Sequence, residues 1–74
     1  MKILVIDDHP SVAEGIRAVL CRAVEGSTVD VAATAPEAVS KCSSQEYAVL
    51  VLDMSLPGRS GPELVAELTQ ISRV

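Results

Sequence analysis

Two short aliphatic runs, each closed by carboxylates, constrain this chain more than any other feature. Lys2-Ile3-Leu4-Val5-Ile6 ends in Asp7-Asp8, and Ala48-Val49-Leu50-Val51-Leu52 ends in Asp53. Runs that are apolar at nearly every position, rather than at alternate ones, read as strands covered on both faces, the setting of a parallel sheet under helices. In such a sheet the carboxyl ends of neighbouring strands share one edge, where the crevice of an open α/β fold lies. Asp7, Asp8 and Asp53 are therefore expected together in one solvent-facing crevice. Carboxylates packed this closely repel one another unless a cation neutralises them. A set rich in oxygen and poor in nitrogen and sulfur favours a hard ion such as Mg2+. Metal-assisted phosphate chemistry is the leading expectation.

Between and after the runs the pattern changes to helical spacing. Val12, Ile16, Val19, Leu20 and Ala23 predict a first helix from about Ser11 to Val24, stopped by Glu25-Gly26-Ser27 with Gly26 as a left-handed cap. A second strand, Thr28 to Ala32, leads into a second helix. That helix is opened by Thr34, with Glu37 reaching back in a capping box, and Ser43-Ser44-Gln45 closes it. Ala35, Ala38, Val39 and Cys42 face inward. Ser60 and Glu63 form another capping box ahead of a third helix, with Pro62 in its first turn and Leu64, Val65, Leu68 and Ile71 as its stripe. All three stripes are expected to be core. The order βαβαβα implies right-handed crossovers and a parallel sheet. A flavodoxin-like strand order begins 2-1-3 and sets Asp7-Asp8 beside Asp53. The predicted class is α/β, a flavodoxin-like (βα)3 half of a doubly wound parallel sheet. The first helix lies on one face, and the second and third on the other. Cys21 and Cys42 then lie on opposite faces and cannot bridge.

Composition narrows the function classes. The chain has 74 residues, enough for one small domain, and Tyr47 is its sole aromatic residue, so the core is expected to be aliphatic. The net charge is −4 and no two basic residues are adjacent, which removes the cationic face that nucleic acid binding by this segment would need. No apolar stretch approaches the length of a membrane span, and the start lacks the layout of a signal peptide. The expectation is a cytoplasmic protein with reduced cysteines.

These residues match something specific. Ile6-Asp7-Asp8-His9-Pro10 after the first strand, Asp53 closing the third, and Leu56-Pro57-Gly58 with Gly61 in the next loop resemble the receiver domain of two-component response regulators. The Asp-Asp-His-Pro opening with Glu14-Gly15 is most similar to regulators that carry a LuxR-type output domain and act in transcription. The resemblance implies that Asp53 is the phosphoacceptor, taking a phosphoryl group from a sensor histidine kinase or a small phosphodonor. It implies that Asp8 and Asp53 ligate Mg2+ directly, that the backbone carbonyl of Ser55 is a further ligand, and that Asp7 acts through water and orientation. Pro57, Gly58 and Gly61 would shape the loop. Activity would be limited to the chain's own phosphorylation and dephosphorylation, so it is not an enzyme in the ordinary sense.

The family continues through two more strands and helices, with a Ser or Thr ending strand four and a Lys ending strand five. This sequence ends at Val74, and neither Lys2 nor Lys41 can replace that Lys. The expectation is therefore an amino-terminal half of a receiver, residues 1–74 with no second domain and impaired transfer. Its third strand would be a bare apolar edge that recruits a second copy, and the first helix would keep an uncovered apolar patch. A non-catalytic association module is the alternative reading. A phosphatase of the haloacid dehalogenase class is disfavoured, because Asp53-Met54-Ser55 lacks the second acid of Asp-x-Asp. His9 is read as an exposed residue beside the crevice, since an all-oxygen site has no need of imidazole, and Arg59 as a solvated loop residue.

Overall fold

The computed structural model describes residues 1–53, 56 and 60–71. Six elements follow in the order β1 (Lys2–Ile6), α1 (Pro10–Ala23), β2 (Thr28–Ala32), α2 (Ala35–Ser44), β3 (Val49–Leu52) and α3 (Gly61–Ile71). The strands form a three-stranded parallel sheet in the order β2-β1-β3. Ile3 pairs with Val29 on one side and Val49 on the other, and Ile6 with Ala32 and Leu52. This is the flavodoxin-like α/β arrangement.

The central position of β1 explains its unbroken apolar run. Leu4 and Ile6 point into a core shared with α2 and α3, where Ala38, Cys42, Leu64 and Leu68 are buried. Ile3 and Val5 point the other way, against Ala13 of α1 and Val29. A strand buried on both faces has no solvent side on which a polar residue could sit.

Turn and cap chemistry sets the boundaries. Gly26 holds φ +76°, a left-handed conformation that a side chain disfavours. Thr34 caps α2, its Oγ1 accepting from the Glu37 N–H at 3.2 Å. The Glu37 carboxylate reaches back to the N–H of Ala33 at 2.9 Å, one residue earlier than in the usual reciprocal box. Ser60 accepts from the Glu63 N–H at 3.2 Å and opens α3 in the same way.

Several expectations about the helix stripes need correction. On α1 only Ala13 is buried and Ile16 and Leu20 are partly covered, while Val12, Val19 and Ala23 are exposed, so the full stripe is not core and the uncovered apolar patch expected of this helix is present. On α3 Leu64 and Leu68 are buried, whereas Val65 and Ile71 are exposed. Each helix touches the sheet along one narrow line, so only residues one turn apart on that line are sealed. The purely aliphatic core is also corrected. Tyr47 is fully buried, and its hydroxyl donates to Asp30 Oδ2 at 2.6 Å. Cys21 is exposed on α1 and Cys42 is buried under α2, on opposite faces, and both are free.

Candidate metal centre

The parallel ladder continues one residue past the strands. Asp7 N–H donates to the Ala32 carbonyl at 3.0 Å, and Asp53 N–H donates to the Ile6 carbonyl at 2.9 Å. Backbone pairing therefore places Asp7 and Asp53 side by side at the carboxyl edge, with Asp8 in the turn into α1. A crevice opens there, lined by Asp7, His9, Ile16, Leu52 and Asp53.

The carboxylates differ in setting. Asp7 is buried, and its Oδ1 accepts from the His9 backbone N–H at 2.9 Å. The side chain of Asp8 is about one-third exposed, yet its Oδ1 is buried and, among the described residues, accepts no hydrogen bond of good geometry, its near neighbour being the His9 ring nitrogen. Asp53 is partly buried. A buried carboxylate oxygen without a donor is costly, and a bound cation would satisfy it.

His9, read from the sequence as a solvated bystander, is turned inward. Its ring is largely exposed, but Nδ1 lies 2.8 Å from Asp7 Oδ1, 3.0 Å from Asp8 Oδ1 and 3.6 Å from Asp53 Oδ2. The hydrogen bond to Asp7, helped by the charge of Asp8, raises the imidazole above its ordinary pKa. One ligand atom from each of Asp7, Asp8, His9 and Asp53 lies within 4.8 Å of the others. Oxygens facing each other across a divalent ion of this type stand about 4–5 Å apart, given bonds of about 2.0–2.6 Å. Donor type and spacing both fit such an ion. Ser55, Pro57, Gly58 and Arg59 lie outside the described residues. Gly61 is buried at the start of α3, and Leu56 is buried beside Asp53, its N–H reaching the Asp53 carbonyl at 3.4 Å.

Residues 3–74, nearly the whole chain, match the response regulator receiver domain. The chain belongs to that family. Among the receiver's relatives, the transcriptional regulatory protein TcrA of Mycobacterium tuberculosis is 40% identical over 70 residues, covering 92% of this chain and 26% of TcrA. The nitrate/nitrite response regulator NarL of Escherichia coli is 29% identical over 70 residues, covering 95% of this chain and 32% of NarL. The receiver thus spans about a quarter to a third of the length of the curated relatives it matches. A solved response regulator from Burkholderia pseudomallei superposes with a TM-score of 0.87 at 28% identity, over 97% of this chain and 41% of its own. That crystal structure holds a phosphorylated aspartic acid, a calcium ion and citrate. Receiver domains bind a divalent metal and accept a phosphoryl group.

Proposed function

We propose that this receiver takes a phosphoryl group on Asp53, from the phosphohistidine of a sensor histidine kinase or from a small phosphodonor. A carboxylate oxygen of Asp53 attacks phosphorus, the bond from phosphorus to the donor nitrogen breaks, and an acyl phosphate forms on Asp53. The displaced imidazole nitrogen takes up a proton. Asp8 and Asp53 would hold a Mg2+ ion directly, with the backbone carbonyl of Ser55 as a further ligand, and Asp7 would act through water and orientation. Asp7 suits that outer role because its Oδ1 is already engaged by the His9 backbone N–H. The chemistry a bound Mg2+ supplies is neutralisation of charge on the phosphoryl oxygens. Activity stops at the chain's own phosphorylation and dephosphorylation.

The observation that carries this reading is the meeting of Asp7, Asp8 and Asp53 at one sheet edge, their ligand atoms within 4.8 Å. The names of the relatives support service in transcription. We include in the proposal a LuxR-type output domain, on the Asp-Asp-His-Pro opening alone, and a cytoplasmic location. The deciding experiment is intact mass spectrometry after incubation with Mg2+ and phosphoramidate. Gain of one phosphoryl group by the parent but not by Asp53→Asn is expected. No gain by a folded parent overturns the assignment.

A second reading, self-association, rests on β3. Among the described residues its outer edge carries no strand, Val49 is exposed, and Leu50 and Leu52 line an apolar groove with Val65 and Leu68. Exposed apolar edges of this kind pair with a second copy. Sedimentation of the chain as a dimer supports this reading, and a clean monomer at high concentration removes it.

A further inference from the structure

The most unusual feature of the carboxylate edge is what stands in its middle. His9 Nδ1 lies within 3.6 Å of an oxygen from each of Asp7, Asp8 and Asp53. Nothing about α1 requires this. His9 is the helix N-cap, yet its side chain makes no capping bond. Instead, the ring leans back over the acids, while Asp7 Oδ1 takes both the backbone N–H and Nδ1 of the same residue.

We infer that His9 is a tethered occupant of the cation position, and that divalent metal binds this receiver only by displacing the imidazole. The inference rests on the metal-site reading above. The argument is one of space and donors. A cation bonded to Asp8 and Asp53 must lie about 2.0–2.6 Å from their oxygens, between them. Nδ1 already occupies that interval, 3.0 Å from Asp8 Oδ1 and 3.6 Å from Asp53 Oδ2, and the protonated ring places its N–H and its charge among the three carboxylates. Ion and donor cannot share the place. The ring has somewhere to go, since 59% of the side chain is exposed. His9 therefore acts as a positioning residue. It holds the acids in a ligating arrangement while weakening the ion's apparent affinity by the free energy of its own contacts.

Ligation by His9 is the opposing possibility, and the two differ in sign. If the imidazole competes, removing it tightens Mg2+ binding. If the imidazole ligates, removing it weakens binding. The net worth of a hydrogen bond to a charged group corresponds to roughly a tenfold change in the dissociation constant.

The test is calorimetric titration of Mg2+ into the parent, His9→Ala, His9→Asn and Asp8→Asn at one pH. Proton NMR follows the imidazole, whose signals are unambiguous because His9 is the chain's single histidine. Expected is a roughly tenfold tighter Mg2+ constant for His9→Ala. The constant should return toward the parent value in His9→Asn, whose amide nitrogen can take the place of Nδ1. In the parent, Mg2+ should move the ring resonances toward those of a solvated histidine, and in Asp8→Asn it should leave them in place. Equal or weaker binding by His9→Ala overturns the inference while leaving the metal site intact. So does a ring resonance broadened by paramagnetic Mn2+ as strongly as direct ligation requires. Failure of both the parent and His9→Ala to bind Mg2+, with far-UV circular dichroism unchanged, overturns the metal-site reading and the inference with it.

Discussion

Tyr47 and Asp30 show how one side-chain pair ties the start of β3 to β2. The phenol is sealed from solvent and donates to the Asp30 carboxylate at 2.6 Å, a charge-assisted bond. Tyr47→Phe should destabilise the fold by about 1.5–3 kcal/mol, read as a lower urea midpoint at unchanged slope. Burial first, and then the bond to Asp30, raise the Tyr47 pKa above the usual 10.0. Above about pH 10 the unfolded chain has released the phenolic proton while the native state retains it, so stability falls as pH rises further. In Tyr47→Phe that alkaline slope should be shallower. At the carboxylate edge, Asp8→Asn should stabilise the ion-free protein by about 0.5–1 kcal/mol, since it removes one of three mutually repelling carboxylate charges. The same change should abolish any rise in melting temperature with Mg2+. Asp8 and Asp53 were legible in the sequence because a strand end is a local pattern. The inward turn of His9 was not, because it depends on how far apart three remote carboxylates finish.

Helices divide into positions the sheet seals and positions it leaves open, and substitutions should follow that division. Leu68→Ala on α3 should cost about 2–5 kcal/mol, whereas Val65→Ala should stay within about 0.5 kcal/mol, because Leu68 is buried and Val65 is exposed. Thermal melts of the two variants give the contrast directly. The cap of α2 should behave as its hydrogen bond dictates. Thr34→Ala should cost about 1 kcal/mol, and Thr34→Ser only a fraction of that. Helix existence and the Thr34 and Ser60 caps were readable from spacing alone, since hydrogen bonds between residues three apart do not need the rest of the fold. The width of each buried stripe was not readable. Val12, Val19, Val65 and Ile71 have the right period but sit off the line of contact.

For the whole molecule, stability and site occupancy are linked. Any ion that binds only the folded chain should raise the melting temperature, by about 2.7 kcal/mol of stabilisation at one hundred times its dissociation constant. Scanning calorimetry across a Mg2+ series should show that rise in the parent and none in Asp8→Asn. The sheet explains why three acids separated along the chain can act as one site. Parallel pairing of β1 with β3 carries Asp7 and Asp53 to the same edge, each held by one further backbone hydrogen bond. Local pattern was enough for the element order, the parallel sheet and the meeting of Asp7, Asp8 and Asp53. Those follow from hydrophobic period, strand direction and short-range cap chemistry, all written in neighbouring residues. Packing between layers set which faces of α1 and α3 are covered, that Tyr47 belongs to the core with Asp30 as its partner, and that His9 stands among the acids. Each of these is a distance between segments far apart in the chain, set by how the layers pack.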